Sequence, residues 1–237
     1  MSENKTNNNP AIQWVDGNIP KSSQFDDTYY SKADGYLETQ FVFLDGNDLP
    51  NRWKQMQRCT IAELGFGTGL NFLTALEQWQ ANAREGATLH FISFEQYPMT
   101  KEAMQTALSR WPKLEPSASR LCELWHEAII EGAEKISIQW SDEVTLTVWC
   151  SDANLRLPQE NFEADAWFLD GFSPAKNPEL WSKELMRLVW QRTTNGGTFA
   201  TYTSAGWVRR NLAAAGFEVQ RVQGHAGKRQ MSIGKKL

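Results

Sequence analysis

Three acids, Glu63, Glu95 and Asp152, each close a short apolar run, in TIAE, LHFISFE and VTLTVWCSD, and a fourth, Asp170, does the same in DAWFLD. One acid after one such run is uninformative, but the repeated relation describes a single negative rim at successive strand ends. A negative rim attracts a cationic ligand and repels phosphates. After the first acid comes GFGTG, with glycines at 65, 67 and 69, a turn tight enough for a ligand to lie on bare backbone. A P-loop needs Lys and then Ser or Thr after its last glycine, whereas Leu70 and Asn71 stand here, so phosphate binding of that kind is excluded. A dinucleotide fingerprint would place its third glycine at position 70, which is Leu, so the spacing misses by one. Two further stretches carry chemistry. FDDTYYS brings Phe25, Asp26, Asp27, Tyr29 and Tyr30 together, and FSPAK after Asp170 adds Phe172 and Lys176. Carboxylate, aromatic ring and lysine are the types expected around a reacting amine or base.

The elements that position these residues follow from periodicity. Ile61, Ala62 and Leu64 read as a buried strand, and Leu70, Phe72, Leu73, Leu76 and Trp79 share one face of the helix after the glycine turn. Strands are expected at Leu89 to Pro98, Val144 to Ala153, Asp165 to Gly171 and Gly197 to Thr203, with residues 100–135 helical. Asn177 and Pro178 read as the cap and first residue of a helix with the stripe Trp181, Leu185, Leu188, Val189. A helix from Gly206 to Gly216 carries Arg209 and Arg210, and EVQRV and RQMSIG pair as a closing hairpin around GHAGK. Alternating strands and helices predict an α/β fold with a mostly parallel sheet. Before it, Ile12 to Lys54 holds turn signals at Asp16-Gly17, Asp34-Gly35 and Asp45-Gly46 and the alternation Phe41, Phe43, which predict hairpins. Residues 1–10 are expected to be disordered. The division is thus an extension over 1–58, packing on a catalytic domain over 59–237.

At 237 residues the chain suits one α/β domain with such an extension. Cys59, Cys122 and Cys150 are odd in number and far apart, which points to no disulfide framework and no metal site, and to a reducing cytoplasm. No signal peptide or apolar run long enough for a membrane span is present. The net charge of −4 hides an asymmetry: residues 1–170 hold 13 Lys/Arg against 25 Asp/Glu, and residues 171–237 hold 11 against 3. A basic C-terminal third fits a polyanionic partner.

The acid-x-Gly-x-Gly-x-Gly stretch resembles the first motif of class I S-adenosylmethionine (SAM) methyltransferases. With FDDTYYS, ETQFVFLDGNDLP, ELGFGTGLNF, DGFSPAKNPELW, GTFATYTSAGWVRRNLAAAGF and GKRQM in the same order, the chain resembles the MnmC methyltransferase-domain family. That resemblance implies a Rossmann-like fold with a seven-stranded, mostly parallel sheet and an antiparallel C-terminal hairpin. It also implies SAM-dependent N-methylation of the primary amine of 5-aminomethyluridine, or its 2-thio form, at the wobble position of tRNA. SAM is the expected methyl donor, with Glu63, Gly65, Gly67, Gly69, Asn71, Glu95, Asp152 and Ala153 as its seat. No metal is expected, and no FAD on this chain. Asp170 is the expected proton acceptor, with Asp26 and Asp27 as alternatives. Phe25, Tyr29, Tyr30, Phe172 and Lys176 are expected on the substrate, and Arg209, Arg210, Lys228 and Arg229 on phosphates of the tRNA anticodon loop. A partner or fused FAD-dependent oxidoreductase would supply the aminomethyl group. Two alternatives remain open: a SAM-dependent enzyme acting on another amine, of a protein or small molecule, or a noncatalytic SAM-responsive RNA-binding module.

Overall fold

The computed structural model describes residues 10–227 and 230–237. The chain begins with a small antiparallel sheet of β1 (Ile12–Val15), β2 (Ile19–Ser22) and β3 (Asp27–Thr28). The Asp16-Gly17 signal is the turn between the first two strands, with both residues at positive φ. The other two signals are not hairpins. Asp34 caps helix α1 (Gly35–Glu38), accepting from the Tyr36 and Leu37 amides at 2.9 and 3.2 Å. The helix then widens into a π-helical stretch, Thr39–Leu44, which carries Phe41 and Phe43, and ends in a 3-10 turn, Asp45–Asn47. Helix α2 (Leu49–Trp53) follows. Residues 1–9, most of the segment expected to be disordered, lie outside the described residues.

The main sheet begins with β4 (Arg58–Leu64), which the glycine turn joins to α3 (Leu70–Asn82); β5 (Thr88–Phe94) then pairs parallel beside it. Next come α4 (Lys101–Leu108), α5 (Glu115–Ile130), β6 (Lys135–Gln139) and β7 (Val144–Trp149). The chain continues through α6 (Ala153–Arg156), β8 (Ala164–Leu169), α7 (Lys183–Gln191), β9 (Thr193–Thr201), α8 (Gly206–Ala215), β10 (Glu218–Gln223) and β11 (Gln230–Lys235). The sheet order is β10-β11-β9-β8-β4-β5-β7-β6. Among the described residues it has eight strands rather than the expected seven, because β6, to which no strand was assigned, pairs antiparallel on the outer edge of β7. Strands β4, β5, β7 and β8 are buried along nearly their whole length, as parallel strands covered on both faces must be.

The predicted helix from Pro178 is broken in two. Pro178–Trp181 forms a 3-10 turn without a side-chain cap at Asn177, and Ser182 then caps α7 through the Leu185 amide at 3.2 Å. One buried cluster joins Ile19, Tyr36, Phe43 and Trp53 to Ile61, Phe72 and Phe91, so the amino-terminal helices are continuous with the core beneath the sheet. The order reverses on either side of β4, since β5 and β7 run outward one way and β8 and β9 the other. Such a reversal opens a crevice at the carboxyl ends of the strands, which is where open α/β sheets bind ligands.

Candidate active site

That crevice is a cavity of about 720 Å³, within the usual size of small-molecule sites. Its floor is the glycine turn. Gly65, Gly67 and Gly69 all take positive φ, at 90°, 55° and 78°, a conformation that favours glycine. A Cβ on Gly65 would stand 3.2 Å from the Gly171 Cα, so two loops meet there backbone to backbone. Glu95, just beyond β5, clamps the turn: its Oε2 accepts from the Gly67 amide and its Oε1 from the Tyr97 amide, both at 2.8 Å. Burial pushes the Glu95 carboxyl up from its ordinary range, against these backbone hydrogen bonds. Further along the rim, Asp152 accepts from the Asn154 amide at 2.8 Å and from its side chain at 3.0 Å, with Ala153 buried beside it.

Glu63 and Gly69 do not line the cavity, contrary to a direct contact with a ligand. Glu63 is wholly buried beneath the floor, where Ser93 Oγ donates to its Oε2 at 2.7 Å and Asn71 Nδ2 to its Oε1 at 2.8 Å. Desolvation pushes its pKa up to about 8. Gly69 faces the core instead, since a Cβ there would meet Leu121 Cδ2 at 2.7 Å and Phe66 Cζ at 3.1 Å. Asn71 lines the cavity, but its side chain is engaged within the protein: Nδ2 donates to Glu63 and, at 2.8 Å, to Asp170 Oδ2, and Thr39 Oγ1 stands 2.6 Å from its Oδ1.

The opposite wall comes from the two loops that the residue types singled out. Phe25 stacks on Phe172 with ring centroids 4.7 Å apart, and Tyr29 meets Phe172 edge-on at 5.0 Å. Asp27 Oδ2 accepts from the Ser173 amide at 2.8 Å, and the Lys176 ammonium donates to the Asp26 carbonyl and stands 3.4 Å from its carboxylate. Lys21 pairs with the same carboxylate, which, with Lys176, holds Asp26 below its ordinary pKa. Tyr30 is placed differently from its neighbours: its ring packs edge-on against Trp111 at 4.9 Å, and its hydroxyl donates toward the Asn18 and Ala107 carbonyls. It is a structural post at the margin of the cavity. Burial, followed by the charge of Glu95, pushes the Tyr29 hydroxyl up from its ordinary value. Asp170 sits between the two walls, accepting from Asn71 and, through Oδ1, from the Gly171 amide at 2.8 Å.

Glu38, Thr39, Tyr97 and Tyr202 are among the lining residues that the sequence did not single out. Tyr202 donates to the Gly171 carbonyl at 2.9 Å, and burial, then the charges of Asp170, Asp27 and Glu38, hold its hydroxyl well above its ordinary pKa. Arg209 and Arg210 lie on α8 and away from the cavity lining, and Lys228 and Arg229 fall outside the described residues. Among the described residues, no helix is long and apolar enough to cross a membrane, and no group of three His, Cys, Asp or Glu side chains is placed to hold a metal ion.

The lining matches a cationic ligand better than a phosphate: among the described residues, six carboxylates, including Glu95, Asp152 and Asp170 at the strand ends, stand against three lysines, and no lysine follows the glycine turn. Comparison with known proteins agrees. Residues 112–237 match the family model described as S-adenosyl-L-methionine-dependent methyltransferase. The chain is 42% identical over 227 residues to the tRNA 5-methylaminomethyl-2-thiouridine biosynthesis bifunctional protein MnmC of Marinomonas sp. (strain MWYL1), covering 95% of this chain and 33% of that protein. It is 43% identical over 239 residues to the protein of the same name from Chromobacterium violaceum, covering 97% and 35%. The chain therefore spans about a third of the length of these curated relatives. The crystal structure of MNMC2 from Aquifex aeolicus superposes with a TM-score of 0.73 at 25% identity, covering 95% of this chain and 70% of that one. With the family model matched over more than half its length, the chain belongs to the S-adenosyl-L-methionine-dependent methyltransferases, as a Rossmann-like member similar to MnmC.

Proposed function

We propose that this methyltransferase acts on the primary amine of 5-aminomethyluridine, or its 2-thio form, at the wobble position of tRNA, giving 5-methylaminomethyluridine. One observation carries the reading: Asp170 faces the same cavity as the stacked Phe25–Phe172 pair, with the glycine turn as its floor. Aromatic faces suit a splayed-out pyrimidine, and the carboxylate suits the amine such a base would carry. The relatives from Marinomonas and Chromobacterium are named for tRNA 5-methylaminomethyl-2-thiouridine biosynthesis.

The seat for SAM is Gly65, Gly67, Glu95, Asp152 and Ala153, with Glu63 and Asn71 supporting it from below. When bound there, SAM supplies an already activated sulfonium methyl. The remaining work belongs to the chain. Asp170 holds the substrate ammonium and takes a proton from it at a carboxylate oxygen, which frees the nitrogen lone pair for attack. Phe25, Tyr29 and Phe172 hold the ring, and the cavity keeps nitrogen and methyl in line away from bulk water. Asp26 and Lys176 tie the roof, Asp27 fixes it to Ser173, and Tyr30 supports it from behind. Residues 1–58 thus act as an extension that completes the cavity of a methyltransferase domain at 59–237. Arg209, Arg210, Lys228 and Arg229 take phosphates of the anticodon loop, and an FAD-dependent oxidoreductase, fused or separate, supplies the aminomethyl group.

The test is mass analysis of wobble nucleosides after incubating undermethylated tRNA with the protein and labelled SAM. The reading requires one labelled methyl on the aminomethyl nitrogen; methylation of small amines with none in tRNA would overturn it. Asp170→Asn should keep SAM affinity within a few-fold and lower turnover about 10²- to 10⁴-fold.

A further inference from the structure

Charge around the cavity is segregated. Glu95, Asp152 and Asp170 stand at the strand ends, whereas the lining lysines among the described residues, Lys21, Lys32 and Lys176, come from β2, the loop after β3 and the loop after β8. Lys32 is matched by Asp16 at 2.9 Å. Lys21 and Lys176 instead share one partner: the Lys21 ammonium meets Asp26 Oδ1, and the Lys176 ammonium stands 3.4 Å from Oδ2 of the same carboxylate. Local structure sets this up. Strands β2 and β3 pair Ser22 with Asp27, and Ser22 Oγ accepts from the Phe25 amide at 3.2 Å, so the chain between them turns tightly. Asp26 closes the turn at a φ of 51°, a conformation that Asp tolerates better than most side chains. Its carboxylate is 72% exposed, on the rim of the cavity.

Tying the roof accounts for Lys176 alone. Lys21 lies on the same hairpin as Asp26, so that pair fastens no second loop, and an exposed ion pair adds little to stability. Within the triad two ammoniums meet one carboxylate, which leaves one positive charge over, and the next acid, Asp27, turns its oxygens to the Thr28 and Ser173 amides. A phosphodiester, like a carboxylate, offers two negative oxygens on one centre, and lysine binds phosphate as a point charge. We propose that Lys21 and Lys176 form a phosphate clamp on the cavity rim: it takes a phosphate flanking the nucleotide being methylated, with Asp26 as its counter-ion until RNA arrives. The assignment rests on the reading that the substrate is tRNA. Asp26 follows Phe25 directly in the chain, so a base laid on the Phe25–Phe172 stack brings its own backbone to this stretch of rim. The acids at the strand ends repel phosphate from the floor and leave it to the lysines. An amine on a small molecule or a protein has no phosphate to bring there, so the clamp selects for a nucleotide.

The experiment measures binding of an anticodon stem-loop carrying 5-aminomethyluridine at the wobble position, with each flanking phosphate replaced in turn by an uncharged methylphosphonate. One of the two replacements should weaken wild-type binding about tenfold, and in Lys21→Met/Lys176→Met, where the contact is already lost, it should cost less than about twofold. The double variant should also lower the salt dependence of binding by about one unit of log–log slope. The single variants should shift both readouts the same way by less, and they carry the same cycle if the double variant does not fold. Asp26→Asn separates a clamp from a mere roof tie. Asparagine also tolerates the positive φ, and it removes the competing charge, so stem-loop affinity should hold or rise. A replacement that costs as much in the lysine variants as in the wild type overturns the proposal, as does an Asp26→Asn protein that binds RNA as weakly as they do. So does a loss of SAM affinity beyond about threefold in the double variant, since the lysines would then serve the carboxylate of the donor. A wild-type protein that transfers no methyl to tRNA overturns the functional reading, and the clamp falls with it; one that methylates tRNA without the methylphosphonate coupling loses the clamp alone.

Discussion

Gly67 and Gly69 stand two residues apart in one motif, yet replacing each with alanine should break a different property. Both have positive φ, at 55° and 78°, so alanine costs about 1–2 kcal/mol of backbone strain at either position. At Gly67 the added methyl would stand 3.2 Å from Tyr29 Cδ1, on the cavity side, where a half-buried ring can give by a few tenths of an ångström. At Gly69 it would stand 2.7 Å from Leu121 Cδ2 and 3.1 Å from Phe66 Cζ. Leu121 is fully buried, and Phe66 is stacked on Trp125 at 4.9 Å, so neither can step aside. Overpacking of this kind adds about 1–3 kcal/mol. Gly69→Ala should therefore lose about 2–5 kcal/mol in urea unfolding, against about 1–2 kcal/mol for Gly67→Ala. Calorimetric titration with SAM should show the reverse order, with Gly67→Ala at least tenfold weaker, about 1.4 kcal/mol, and Gly69→Ala near wild type at temperatures where it is folded. Equal stabilities, or a Gly67 variant that binds SAM as the wild type does, would refute this division of labour.

Glu63→Gln should change how stability depends on pH. The folded pKa of Glu63, about 8, lies above its ordinary 4.5, so the folded state holds the extra proton between those values and stability falls as pH rises through that window. The glutamine variant lacks this slope, and urea unfolding at pH 5 and pH 8.5 should find it gaining on the wild type at the higher pH; parallel profiles would contradict the buried acid. Lys176→Met should leave SAM affinity and unfolding unchanged and raise the KM for tRNA, because it unties the roof at Asp26 without touching the floor; an unaltered KM would remove the roof from substrate capture. Arg209→Ala and Arg210→Ala should each lower the salt dependence of tRNA binding by about one unit of log–log slope. Binding that is insensitive to salt in the wild type would rule out the basic face.

The floor of the site was legible because its signals are local. A glycine turn after a buried strand and acids after apolar runs need only the neighbouring residues to be understood, and the structure sets Glu95, Asp152 and Asp170 around one cavity. What was missed depended on distant partners. Asp34-Gly35 has the letters of a tight turn, but its Oδ1 is used by the Tyr36 and Leu37 amides and by the Trp111 indole at 3.0 Å, so the same residues start a helix. Phe41 and Phe43 alternate as in a strand, yet a π-helical stretch with its longer hydrogen-bond spacing contains both. In KISIQ the alternation was present, and its burial does alternate, but the helical reading ended at its first residue and no strand was assigned to the rest. Ser182 carried the cap signal that ends one turn and begins the next, and it was masked by the apolar stripe running through it. The contacts of Asn71 and Thr39 could not be read from type or spacing, since Asn71 and Asp170 lie 99 residues apart in the chain.

The two loops that form the roof meet from opposite ends of the molecule, 146 residues apart at Asp27 and Ser173 and 150 apart at Asp26 and Lys176. Contacts of such long range close late in folding, since the intervening chain must first be ordered. During synthesis, Phe25, Asp27 and Tyr29 emerge from the ribosome early and wait for the DGFSPAK segment to arrive. Until that segment arrives, the stacked wall of Phe25 and Phe172 cannot form, so the cavity is completed only once both loops are made.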